Sequence, residues 1–217
     1  MNSNPKHRFE SSLQISSTAL IAVNLLPALG AIFYDWDVLR LMALFWAENA
    51  FIGALGIARL IMSGGRGASK ALFFIVHYSG FMFAHAVFLV TIFSPGSVKG
   101  IGFESVGFLL TYLGRWDVAL VAFALLGSHL WSYTNNFLGG QEFKQLRPAD
   151  AMRLPYQRIA ITQFALIIGG FAVQELGNPL AGLLVLVAIK TYADLRSHRK
   201  EHRLLAIPAE KTKPNIR

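Results

Sequence analysis

An all-α, polytopic helical membrane bundle of about six transmembrane helices, with both termini in the cytoplasm, is the fold class this sequence predicts. Three observations predict it. Apolar residues make up 54% of the 217 residues and charged residues only 15%, well below the roughly one quarter of a soluble domain. The apolar residues gather into blocks of about 17 to 25, the length that crosses a hydrocarbon core of ~30 Å at 1.5 Å per residue. Lys and Arg are distributed unequally between the two sides of these blocks.

Residues 1–15 read as a cytoplasmic N-terminal segment carrying Lys6 and Arg8. The first apolar block, about Ser16 to Tyr34, imitates a signal peptide with small residues near Ala28-Leu29-Gly30-Ala31. Its run is long for a signal core, and Asn24 and Pro27 suit a kinked helix packed among neighbours, so it reads as a retained span. Further spans are expected at about Val38 to Met62, Ala71 to Phe93, Val118 to Phe137, Ile159 to Gln174 and Leu180 to Ala193. The apolar segment near 102–113 is too short to cross and predicts an interfacial or re-entrant helix on the outer side. The transmembrane domain thus covers 16–196, followed by a basic cytoplasmic tail at 197–217. Connections this short leave no room for a soluble catalytic domain, and no internal repeat is visible.

With the N-terminus inside, the cytoplasmic segments receive Arg59, Arg66, Lys70, Lys144, Arg147, Arg153, Arg158 and the tail, besides Lys6 and Arg8. The outer side receives Arg40, Lys99 and Arg115, accompanied by Asp35, Asp37, Glu104, Asp117 and Glu175. The net charge of +8 therefore sets topology and meets anionic lipid, and no nucleic-acid function is expected. The absence of cysteine excludes disulfides, thiolate metal sites and cysteine nucleophiles. The partners expected are the lipid bilayer itself and a second copy of the chain or another membrane protein.

Ionisable groups in hydrocarbon are expensive, about 2.5–3.5 kcal/mol each on insertion scales, so each needs a partner or a cavity. Counted from the outer face, Glu48, His85 and His129 fall about eight to eleven residues into their spans, at one depth near mid-membrane. Nearer the cytoplasm come His77, Tyr133 and Asn136 on the His129 face, and Gln163, with Asn49 beside Glu48, forming a second polar layer. Two imidazoles and a carboxylate supply the ligand set of several zinc and non-haem iron sites, which makes His85, His129, Glu48 and His77 candidate metal ligands. Glu48 is also the candidate acid/base. The structural alternative is that these groups hydrogen-bond one another and hold helices together.

Lys190, Asp194, His198 and His202 form a stripe at successive i, i+4 spacings, continuing the last helix into the cytoplasm. The string His198-Arg199-Lys200-Glu201-His202 matches the H-x-x-E-H pattern of inverted zinc peptidases, but no distant third carboxylate ligand follows it. Arg199 and Lys200 read as a positive-inside anchor, and a solvated basic helix end is the plainer account. Tyr78, Trp131, Tyr133 and Tyr156 read as core or interface belt, and the glycines at 53, 56, 169 and 170 as points of close helix packing.

The strings Phe45-Trp46-Ala47-Glu48-Asn49, His77-Tyr78-Ser79-Gly80 followed by His85, Ser128-His129, Asn136-Phe137-Leu138-Gly139, Pro155-Tyr156-Gln157-Arg158 and Lys190-Thr191-Tyr192-Ala193-Asp194 carry a resemblance. Over roughly residues 18 to 203 the chain resembles an uncharacterised family of bacterial integral membrane proteins, domain of unknown function family 6498. Ser79 departs from the glycine expected in that pattern, and Gln163 stands where some members carry histidine. The resemblance implies the fold, a multi-pass place in the cell inner membrane and a shared polar core. It implies no reaction, substrate or cofactor.

Three functions are compatible with these residues. One is intramembrane hydrolytic or redox chemistry on zinc or iron. The second is a proton-coupled small-molecule carrier using a relay of Glu48, His85, His129, His77 and Asp194. The third is a membrane scaffold or accessory subunit without chemistry.

Overall fold

A computed structural model describes residues 18, 21–63, 67–94, 102–139 and 179–205, together with positions 153, 156, 159, 160, 163, 164, 167, 168, 171 and 175. Its side chains are described up to 197, apart from those of residues 67, 68, 136 and 179. The N-terminal segment 1–15, the tail beyond 205, the glycines at 169 and 170, and the side chains of Asn136, His198 and His202 lie outside that description.

All described elements are helices: α1 (Ile21–Phe33), α2 (Val38–Met62), α3 (Gly67–Phe93), α4 (Phe103–Leu113), α5 (Trp116–Ser132) with a π-helical continuation Tyr133–Gly139, and α6 (Pro179–Leu205). The described positions between 153 and 175 also carry helical backbone. Two helices, Val38–Met62 and Ser69–Phe93, are long and apolar enough to cross a membrane. A third candidate exists if α4 and α5, whose axes turn by 94°, are counted as one broken span.

α2 is the central helix and packs against α3, α4 and α5. It starts where the Asp37 carboxylate accepts the Arg40 amide at 2.8 Å, and it ends with Arg59 in the last turn, where a cation complements the helix dipole. The link from α1 turns at Asp35, which sits in the left-handed region at φ 49° that Asp tolerates better than most residues. Arg40 braces this turn by donating to the Tyr34 and Asp35 main-chain oxygens. Gly30 gives the Trp36 ring room to lie against α1.

α2 and α3 are joined by reciprocal bonds from side chain to backbone. The Trp46 indole donates to the Met82 carbonyl at 2.9 Å, and the Tyr78 hydroxyl donates to the Asn49 carbonyl at 2.7 Å. Each aromatic polar tip thereby finds a partner in the second lone pair of a helical carbonyl. Leu41, Met42, Phe45 and Leu60 of α2, Phe74 and Leu89 of α3, Leu109 of α4, Leu125 of α5 and Leu186 of α6 are buried in one core.

The regular winding of α5 ends at Ser132, five residues short of the expected end of that span at Phe137. Beyond it the Thr134 hydroxyl bonds the Leu130 and Trp131 carbonyls, and the Asn135 amide also donates to Trp131. Such short polar side chains compete for the carbonyls that a regular helix would use, and the helix widens there. α6 runs without a break for 27 residues, about 40 Å, well beyond the apolar stretch that ends near Ala193.

Candidate functional site

α2 divides its polar and apolar duties between two faces. At 100° per residue Trp46, Ala50, Gly53 and Ile57 share the face toward α3 and α4, while Glu48, Phe45 and Arg59 lie on the other side. The α3 side opens into an apolar cavity of about 310 Å³ lined by Trp46, Gly53, Tyr78, Met82, Phe103 and Val106. The opposite side holds the principal charged cluster.

Glu48 is that cluster's hub, at 2% exposure. One carboxylate oxygen lies 2.7 Å from His129 Nε2 of α5, and the other accepts from Lys190 Nζ of α6. Lys190, at 1% exposure, also donates to Asn24 Oδ1 of α1 at 2.7 Å and pairs with Asp194 Oδ2 at 2.6 Å. Asp194 is one turn along α6, so helical spacing alone puts it beside Lys190. Phe45 lies beneath, its ring centroid 4.7 Å from Nζ.

A lysine ammonium has three N–H donors and no acceptor, and here three oxygens from three helices meet it. Two of these contacts, to Asn24 and Glu48, are hydrogen bonds, and Asp194 adds a close ion pair. One ammonium and two carboxylates thus meet away from water, with the His129 imidazole hydrogen-bonded to one of the carboxylates.

The structure thus brings Glu48, His129, Lys190 and Asp194 together. His85 stands apart: it is buried at 3% exposure beside the Phe81 ring, and its Nδ1 has no partner among the described residues. His77 stands apart as well, its Nδ1 2.7 Å from the Tyr156 hydroxyl and its ring stacked on Phe73. Tyr133 meets Met62 Sδ at 3.3 Å, and the Arg59 guanidinium lies over the Tyr133 and Phe137 rings at 5.8 and 5.3 Å. Asn49 is buried, its carbonyl accepting from Tyr78 and its side-chain nitrogen unpartnered among the described residues. Gln163 Oε1 is also buried without a partner among them. Among the described residues no three His, Asp or Glu side chains converge on a point that could hold a metal ion.

Two buried polar positions carry little signal in the sequence. Asn24 reads there only as a helix-packing residue, although an amide in an apolar span needs a partner and Lys190 is a cation that needs acceptors. Asp117, at the mouth of α5, accepts the Trp36 indole N–H at 2.9 Å and lies 3.4 Å from Arg115. Burial raises the Asp117 pKa, but the Trp36 bond, backbone N–H groups and Arg115 outweigh it and hold the carboxyl below its ordinary value.

The model of a family of unknown function (DUF6498) matches residues 6–211. No curated protein and no solved structure matches the chain.

Proposed function

The chain belongs to that family of unknown function, and from its own geometry we propose that it is a proton-exchanging membrane protein, a small proton-coupled carrier of six spans. The observation that carries the reading is the buried Glu48–His129 hydrogen bond beside the Lys190–Asp194 pair, ionisable groups gathered from three helices away from water. Buried ionisable groups of this kind mark proton relays when they lie inside a bilayer. The exposed apolar faces of α3 (Leu72, Phe73, Val76) and α5 (Leu120, Phe123, Trp131) support lipid contact on both sides of α2. The inner-membrane location, the inward-facing termini and an oligomer supplying the symmetry a carrier needs belong to the same proposal.

The zinc or non-haem iron reading, with Glu48, His85, His129 and His77 as ligands, has less behind it. Both Glu48 oxygens are engaged by Lys190 and His129, and His85 and His77 lie with other neighbours. Stoichiometric zinc or iron in the purified protein, lost in Glu48→Gln, would reinstate it.

The test is proton flux into liposomes containing the purified chain, read by an internal pH-sensitive dye as alkali salts and a panel of small solutes are supplied outside in turn. The expected result is flux in the native chain that falls to the empty-liposome rate in Glu48→Gln and His129→Ala. Equal flux in native and variant liposomes would overturn the reading. Variants altered in stability alone would point to a scaffold.

A further inference from the structure

We infer that the apolar cavity between α2, α3 and α4 is a binding site for one acyl chain of a membrane phospholipid. This rests on the membrane location and not on proton exchange, because the cavity lies on the face of α2 turned away from Glu48.

On α2 the lining recurs at helical spacing from Trp46 through Ala50 and Ala54 to Ile57, about three turns or ~16 Å. α3 supplies the opposite wall, and Phe103 of α4, its ring centroid 5.0 Å from that of Phe83, closes one side. A volume of about 310 Å³ spread over that length leaves a channel about 5 Å across. A helix with its side chains is ~10 Å across and does not enter. A single row of methylene groups does, since carbons pack at ~3.5–4.0 Å.

The walls select hydrocarbon over water. Two polar tips in the lining are already engaged, the Trp46 indole on the Met82 carbonyl at 2.9 Å and the Tyr78 hydroxyl on the Asn49 carbonyl at 2.7 Å. Ser79 adds a single hydroxyl, whereas a buried water wants about two to four polar partners. An empty channel would forfeit dispersion contacts along both helices. The entrance faces away from the bundle: Ala54 and Ser79 are exposed, as are Ile75 at 39% and Phe103 at 84%. Its walls belong to the two helices long and apolar enough to cross a membrane, so lipid tails are what stand at that entrance.

The experiment uses the purified full chain in detergent, titrated with a phosphatidylcholine whose stearoyl chain is dibrominated and quenches indole fluorescence on contact. Trp46 is the reporter because it lines the cavity, and its contribution is the fluorescence that Trp46→Phe lacks. The expected result is a saturable loss of most of that contribution at one lipid per chain, reversed by the unbrominated lipid. Ala54→Phe puts a ring into the channel from an exposed position and should abolish the loss. Val76→Phe, on the exposed side of α3 and outside the lining, should keep it. Should Ala54→Phe fail to fold, Ser79→Leu, also exposed and in the lining, takes its place. Quenching that grows in proportion to added lipid without saturating, or that persists in the filled-channel variant, overturns the inference. If the chain then still stays with liposomes through an alkaline carbonate wash, only the acyl site is discarded; if it washes off, the membrane location falls as well. Saturable quenching in a chain that shows no proton flux keeps the acyl site and removes the carrier.

Discussion

The ring of Tyr78 on α3 occupies the space that a side chain on Gly53 of α2 would need. Its hydroxyl reaches past that glycine to the Asn49 carbonyl at 2.7 Å. A methyl group at 53 would displace an aromatic ring on a buried helix contact, and overpacking of this kind costs about 1–3 kcal/mol. In an open helix position the same Gly→Ala change stabilises by up to ~1 kcal/mol. Gly127 of α5, where a methyl group would meet open space, is the control. Gly53→Ala should lower the melting temperature in detergent, while Gly127→Ala should hold or raise it.

Trp46→Phe keeps the ring against α3 and removes only the donor to the Met82 carbonyl. That carbonyl retains its own helical bond, so no buried group is orphaned. A loss of about 0.5–1.5 kcal/mol is expected, read as a shift in the unfolding midpoint of an SDS titration. A loss several times larger would mean that the indole fills space the phenyl ring cannot.

Lys190→Met removes the cation between two buried carboxylates, and breaking a buried pair from one side costs roughly 3–5 kcal/mol. Adding Glu48→Gln and Asp194→Asn to that variant removes the stranded charges. Much of the loss should then return, because the penalty belongs to the uncompensated carboxylates and not to the missing ammonium. Unfolding titrations of the single, double and triple variants measure the recovery, and a strictly additive series would contradict the network.

Asp117 ties the α1–α2 link to the start of α5, and its folded pKa is lowered. A lowered carboxylate contributes stability that is present above its unfolded value of ~3.9 and lost as pH falls through the folded value. Native stability should therefore decline below about pH 4, and Asp117→Asn should flatten that acid limb while costing stability near neutrality. Trp36→Phe should flatten it in part. Melting temperature followed from pH 3 to 7 checks all three.

Much of the helix layout is legible in the order of residues. Twenty-five consecutive residues from Val38 with few charges can only be a helix in an apolar surround, and the short apolar segment after Gly102 is the helix α4. Other features resist such reading. The π-helical turn after Ser132 depends on which carbonyls Thr134 and Asn135 capture, and apolar periodicity carries no trace of that choice.

For the site, the sequence by itself determined the inventory. Glu48, His129, Lys190 and Asp194 stand in apolar helices where an unmatched charge is too expensive to leave alone, so each had to find a partner. Depth along each helix is also a property of sequence, and it put Glu48, His85 and His129 at one level. Depth says nothing about rotation of one helix against another. Only the tertiary structure decided that α5 turns His129 to Glu48 while α3 turns His85 beside Phe81. It likewise set α6 against α1 and α2, so that Lys190 joins Asn24 and Glu48 across 166 and 142 residues of chain. The physical reason is that side-chain partnerships between helices depend on azimuth and packing neighbours. These are fixed by the summed contacts of the bundle and by no local stretch of residues.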